Sequence, residues 1–283
     1  MAGFVTRLFS RSTNGRGKRK AAKAAAPAPV QEPAQEPTAA ERLRVCRWGP
    51  EGGGGADLLM VLCHGMGSNG ENIIQLAPKF GRLLPRALFV APSGPEAAPR
   101  GGDGHAWFDA RDRAPAALAV GVRGAAAALD ATIDFELERA GLARDAYALA
   151  GYSQGAMTAL FAGLRRDPGP RAIFCYAGAL IAPETLEGEL KNRAPVMLAH
   201  GLADPVVPAF YSRDAERALR AAGVPVQGVY LPGSGHIMDG AALKAGSEFF
   251  GRWLLPEAPR AAPGAPPGIA PGTAPRRRFF ADG

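Results

Sequence analysis

The sequence predicts an α/β domain with a mainly parallel central sheet and helices on both of its faces. Three observations carry this. Short apolar runs alternate with longer stretches of helical periodicity between residues 43 and 255, the pattern of strand–helix–strand units. The short runs are almost continuously apolar, as strands buried on both faces must be. Four unusual loops, at residues 64–70, 151–155, 200–208 and 232–239, each follow such a run. Ligands of parallel sheets bind beyond the carboxyl ends of the strands, so these loops are expected to converge on one edge.

In chain order, residues 43–50 suit an edge strand and residues 51–55 a Gly-rich turn. Residues 57–63 form a buried-strand run. It ends in His64-Gly65-Met66-Gly67-Ser68-Asn69-Gly70, too rich in glycine for regular structure. Residues 73–84 suit a helix interrupted near Pro78, and residues 87–91 a third strand. Residues 92–113 make a long polar loop containing Trp107-Phe108-Asp109; loops this long in compact domains are commonly functional. Residues 118–140 place Val122, Ala126, Leu129, Ile133 and Leu137 on one helical face, with Gly141 as a stop. Strands are expected at 146–150, 172–176, 195–199 and 224–231, and helices after residue 155, at 209–222 and at 241–255. Residues 177–193 read as irregular.

The chain has 283 residues, 47% hydrophobic and 21% charged, with a net charge of +7. The charge is not evenly spread. Residues 1–42 hold eight Lys/Arg against three Asp/Glu, residues 256–283 hold four against two, and residues 43–255 hold 21 of each. A neutral core with basic ends argues against a nucleic-acid-binding domain. The expected layout is a basic Pro/Ala tail over 1–41, one domain over 42–255, and a disordered Pro/Ala/Gly-rich tail over 256–283. Residues 1–30 carry seven basic residues and no acidic one. They read either as an organelle transit peptide or as an extension that touches anionic membranes weakly. Cys46, Cys63 and Cys175 are far apart and form no C-x-x-C pair. That fits a reducing compartment and a cytoplasmic location, and argues against a disulfide scaffold or a cysteine-rich metal site. No apolar run reaches the roughly 18 residues of a membrane span. Oligomeric state is left open.

The chemistry centres on Gly151-Tyr152-Ser153-Gln154-Gly155, set between an apolar run and a helical stretch. This is G-x-S-x-G in its required context of strand, sharp turn and helix. The turn raises the serine Oγ above the sheet edge, and the first helical N–H groups face the same space. The alternative is a plain strand-to-helix turn. A serine needs a base, usually an imidazole. His236 follows the last strand in a Gly-rich turn and is the best candidate. His64 and His200 read as loop ties, and His105 as a rim or solvent residue. Asp204, after the strand at 195–199, completes the order Ser…Asp…His, against the alternative of an ordinary Asp-Pro turn. Asp239 reads as a helix cap. The oxyanion needs two N–H donors, and Gln154 and Met66 are the candidates. Met66, Trp107, Phe108 and Met238 could wall an acyl chain, or belong to the core.

Together these stretches resemble the phospholipase/carboxylesterase family of α/β-hydrolases, which includes acyl-protein thioesterases and lysophospholipases. The resemblance rests on Leu62-Cys63-His64-Gly65-Met66-Gly67, Trp107-Phe108-Asp109, the segment from Gly151 to Met157, the segment from His200 to Pro208, and Gly235-His236. It implies the α/β-hydrolase fold and hydrolysis of a small-molecule or lipid ester or thioester with no cofactor and no metal. It also implies Ser153, Asp204 and His236 as the triad, with Met66 and Gln154 as oxyanion donors. Two positions depart from the family's habit: Ile237 stands where a glycine is common, and Ser68-Asn69 where relatives often carry Asp. Other expectations remain: a peptidase or polyester depolymerase of the same fold, or a non-catalytic scaffold with basic recruitment tails.

Overall fold

The computed structural model describes residues 43–99 and 101–255. The expectations for both tails therefore lie outside the described residues. Seven strands form one sheet in the order β1 (Val45–Trp48), β3 (Ala87–Pro92), β2 (Leu58–Cys63), β6 (Tyr147–Tyr152), β7 (Ile173–Tyr176), β8 (Val196–Gly201) and β9 (Val226–Leu231). β1 pairs antiparallel with β3, with Val45 opposite Pro92. All other pairs are parallel. The helices are α1 (Gly70–Ile73), α2 (Ala77–Gly81), α3 (Pro115–Arg139), α4 (Gln154–Arg165), α5 (Leu186–Glu189), α6 (Phe210–Ala221) and α7 (Gly240–Leu254).

Alternate residues of each central strand serve opposite faces. Leu59, Val61 and Cys63 of β2 join a core with Val122, Leu129 and Ile133 of α3 and Leu160 of α4. Met60 and Leu62 join a second core with Phe80 of α2 and Phe249 and Phe250 of α7. Every residue of β2, β3, β7 and β8 is buried, which is why these strands read as unbroken apolar runs. α3 is, by length and composition alone, long and apolar enough to cross a membrane. It is instead packed on the sheet through the face that carries Val122, Leu129 and Ile133.

Three stretches differ from their expected form. The helix expected over 73–84 is broken into α1, a 3₁₀ turn at Ile74–Leu76 and α2. Pro78 sits in the first turn of α2, where its missing N–H costs nothing, so the helix restarts there. The long loop contains a small ribbon, β4 (Glu96–Ala97) against β5 (His105–Ala106). The irregular segment after β7 holds a 3₁₀ turn at Pro183–Thr185 followed by α5.

Candidate functional site

β2, β6, β8 and β9 run parallel, so the loops that follow them meet at one edge. Ser153 lies on the turn between β6 and α4 with φ 53 and ψ −119. A non-glycine residue in that region costs about 1–3 kcal/mol. The surroundings hold it there. Ser153 N–H donates to Tyr176 O at 2.8 Å, and Ser153 O accepts from Ala156 N–H at 3.0 Å and Met157 N–H at 3.1 Å. The two flanking glycines are required by proximity. A Cβ on Gly151 would lie 2.5 Å from Ala156 Cα, and one on Gly155 would lie 2.2 Å from Cys63 O.

His236 must reach back from β9 to β6, across β8 and β7. Two tyrosines draw it over the edge. Tyr152 Oη donates to His236 O at 2.7 Å, and Tyr176 Oη donates to Gly235 O at 3.3 Å. His236 Nε2 then stands 3.0 Å from Ser153 Oγ. Its Nδ1 stands 2.7 Å from Asp204 Oδ2. A carboxylate accepts only, so Nδ1 carries the ring proton and Nε2 faces the hydroxyl as an acceptor. The Asp204 side chain is fully buried. Burial pushes its pKa up, but hydrogen bonds from His236, Val207 and Val206 outweigh this and hold it below the usual carboxylate range. Oδ1 accepts from Val206 N–H at 2.8 Å and from Val207 N–H at 2.9 Å. Asp239 caps α7, accepting from Ala241 and Ala242 N–H.

The loop after β2 is pressed against the elbow: a Cβ on Gly65 would lie 2.8 Å from the Tyr152 ring and 3.4 Å from Ser153 Cβ. Gly67 N–H donates to His105 O at 2.8 Å and Ser68 N–H to Gly65 O at 3.1 Å. Among the described residues Met66 N–H has no backbone partner. Gln154 N–H opens α4, where first-turn donors have no partner within the helix. His64 is buried and locked: its Nε2 accepts from Gly94 N–H at 2.9 Å. Its Nδ1 therefore donates to Gly65 O, at 2.8 Å. Burial lowers its pKa to about 4, so the ring stays neutral. His105 is half-buried and bonded to Gly94 O through Nδ1.

Trp107 and Phe108 are largely buried, yet both also line a cavity of about 490 Å³ with Pro95, Asp109 and Val120. Both are core residues, 1% and 3% exposed. Trp107 Nε1–H donates to His64 O at 2.8 Å and Trp107 N–H to Gln154 Oε1 at 2.9 Å. Gln154 Nε2 donates to Phe108 O at 2.7 Å. These residues brace the two loops against the head of α4; an aromatic after a long loop suits either role, and the sequence does not separate them. Met66 is exposed, at 52%. Met238 lines a cavity of about 270 Å³ with Gly65, Ile73, Leu76, Tyr152 and Ile237. A third cavity of about 390 Å³ is lined by Leu118, Leu180, Ile181, Tyr211 and Ala215, with Arg113 and Asp214 also on its wall. Its wall includes Ala179, the residue after Gly178, and a Cβ on Gly178 would lie 3.5 Å from Ser153 O. Among the described residues no group of three or more His, Cys, Asp or Glu is arranged to hold a metal. What the arrangement offers is a raised hydroxyl, an oriented imidazole and a pair of N–H groups, with apolar cavities close by.

Comparison with known proteins gives the family of the chain. The chain is 28% identical over 192 residues to the esterase YpfH of Escherichia coli (strain K12), covering 67% of this chain and 80% of that protein. It is 27% identical over 194 residues to an acyl-protein thioesterase 1 of Neurospora crassa, covering 62% of this chain and 79% of the relative. Among solved structures, esterase PE8 is 34% identical and superimposes with a TM-score of 0.71, over 75% of this chain and 100% of that one. Residues 51–254 match the phospholipase/carboxylesterase family model, and with that match over most of its length the chain belongs to this family of α/β-hydrolase-fold esterases and thioesterases.

Proposed function

We propose that the protein is a serine hydrolase that cleaves carboxylic esters or thioesters through an acyl-enzyme. The observation that carries this is the continuous contact from Ser153 Oγ through His236 to Asp204, at 3.0 and 2.7 Å. Ser153 attacks the acyl carbon while His236 Nε2 takes the hydroxyl proton. Negative charge develops on the carbonyl oxygen and is held by the N–H groups of Met66 and Gln154. His236, now imidazolium and stabilised by Asp204, gives its proton to the departing alkoxide or thiolate. Water then repeats the cycle and releases the acid. The largely apolar lining of the cavity beside Gly65, Tyr152 and Ile237 favours an acyl substrate with hydrocarbon on at least one side of the reacting carbonyl.

The test is a panel of nitrophenyl esters and acyl thioesters of graded length. Wild type is expected to turn over several of them. Ser153→Ala is expected to lose several orders of magnitude in kcat, keeping roughly 10³–10⁴-fold over water. Wild-type-like turnover by that variant would refute the assignment.

A further inference from the structure

Asp204 is shared by two histidines. His236 Nδ1 is 2.7 Å from Oδ2, and His200 Nε2 is 3.2 Å from the same oxygen. His200 is the penultimate residue of β8, and its side chain is fully buried. Its Nε2 is also 2.7 Å from Val207 O. A carbonyl only accepts, so Nε2 must carry a proton; Val207 O is its nearer acceptor and Asp204 Oδ2, at 3.2 Å, the next. The other ring nitrogen, Nδ1, is 2.7 Å from Ser212 Oγ in the first turn of α6. Ser212 Oγ is in turn 3.1 Å from Gly178 O, next to the elbow.

We propose that His200 is a positioning residue for the Asp204–His236 pair, sharing Asp204 Oδ2 through its Nε2–H, and that Ser212 fixes the ring tautomer this requires. The inference rests on the hydrolase reading above. With His200 neutral, the Ser212 hydroxyl donates to Nδ1 and keeps the proton on Nε2. Burial favours this neutral form, lowering the His200 pKa. If the ring gains a second proton, Nδ1–H donates to Ser212 Oγ and the hydroxyl turns to Gly178 O. The single hydroxyl proton of Ser212 thus serves Nδ1 in one state and Gly178 O in the other.

Sharing has two consequences. Three N–H groups donate to the carboxylate, from Val206, Val207 and His236, and the proposed share of the His200 N–H, 3.2 Å away, is a fourth. That fills its roughly four acceptor positions, so it cannot rotate away from His236 without losing a bond. A shared oxygen is also a weaker partner for the imidazolium of His236 than an unshared one. The other titratable groups around the pair are Tyr152 of β6, Tyr176 of β7 and Asp239 at the start of α7. Tyr152 and Tyr176 bond the backbone of residues 235 and 236, and Asp239 bonds Ser234. The variants below alter none of them.

The experiment compares wild type with His200→Phe, His200→Gln and Ser212→Ala. It records kcat, KM, the acid limb of kcat/KM on a short nitrophenyl ester, thermal melting, and the NMR resonance of the His236 Nδ1 proton. The Phe variant keeps a ring but has no donor, and Gln returns an N–H near the Nε2 position. Phe is expected to lower kcat about tenfold with KM unchanged, and to move the acid limb up by about half a pH unit. Its Nδ1 resonance shifts as Asp204 turns wholly to His236. Ser212→Ala moves the same readouts in the same direction by less, and Gln restores most of kcat and the limb. Folded Phe and Ala variants with wild-type kcat, limb and resonance would overturn the proposal. So would a Gln variant no better than Phe with the limb unmoved, since that pattern belongs to packing alone. If Phe fails to melt cooperatively, Ser212→Ala and Gln decide by the same criteria. A wild type inert toward every ester defeats the hydrolase reading, whereas an unmoved resonance defeats this one.

Discussion

Gly155→Ala puts the geometry of the elbow to a quantitative test. Residue 155 is the second position of α4, in a helical conformation, so propensity alone favours alanine by about 1 kcal/mol. Space opposes it. The new methyl would lie 2.2 Å from Cys63 O and 2.4 Å from His64 O. Both are backbone atoms at the end of β2 and in the loop that holds Met66, so neither can swing aside as a side chain would. An ordinary contact needs about 3.4 Å, so the head of α4 must retreat by about 1 Å. Overpacking of this kind costs about 1–3 kcal/mol, enough to cancel or exceed the propensity gain. The larger effect is on rate, because Ser153 and Gln154 N–H both ride on the part that moves. Misplacement by about 1 Å costs on the order of 10²-fold. Gly124→Ala in α3 is the control, since nothing lies within 4 Å of its added methyl. It is expected to stabilise by about 0.5–1 kcal/mol, raising Tm by about 1–4 °C, with kcat unchanged. The assays are calorimetric melting and kcat on a nitrophenyl ester. A Gly155→Ala protein as active as wild type and as stabilised as Gly124→Ala would refute the steric account of the motif.

Two further outcomes follow from the ion pairs and caps. The fully buried Glu136 carboxylate of α3 is bracketed by Arg47 of β1 and Arg139. Desolvation pushes its pKa up, but the hydrogen bonds from Arg47 and Arg139 prevail and hold it low. Glu136→Gln should therefore cost about 1–3 kcal/mol at pH 7, discounted because both arginines are partly exposed. A depressed carboxylate pKa contributes stability above the unfolded value of about 4.3 and loses it as pH falls through the folded value. The gap between wild type and variant in urea titrations should thus close below about pH 4; a gap constant from pH 7 to pH 3 would contradict this. Asp204→Ala and Asp239→Ala separate two aspartates near His236. The first should lose at least 10³-fold in kcat, and the second about 1 kcal/mol of stability as a lost cap, with the pH–rate profile unchanged. Equal kinetic losses would mean that the wrong carboxylate has been paired with His236.

How much was legible depended on whether neighbours in sequence were also neighbours in space. The central strands were readable because β2, β3, β7 and β8 are buried on both faces, so composition alone marks them. The elbow was readable because one short segment holds the strand end, the turn and the helix start. The His64 and His200 ties were readable in kind, from a His-Gly pair at each strand end. Their partners were not, since Gly94 and Ser212 lie 30 and 12 residues away. The helix expected over 73–84, with an interruption near Pro78, is broken just before that residue, at Ile74–Leu76, and Pro78 stands in the first turn of α2. Trp107 and Phe108 were unreadable in orientation: their contacts with His64 and Gln154 brace the two loops, and the same residues line a cavity. The reach of His236 across two strands depends on Tyr152 and Tyr176, 84 and 59 residues from the atoms they hold. No local pattern announces such a bond.

The most direct test of the central claim is covalent. A fluorophosphonate phosphorylates a serine only where the hydroxyl is activated by a base and the developing oxyanion is held. Peptide mapping by mass spectrometry after brief exposure should find a single adduct, on Ser153, absent in Ser153→Ala and slowed strongly in His236→Ala. An unlabelled wild type, or an adduct that forms equally fast without His236, would contradict it.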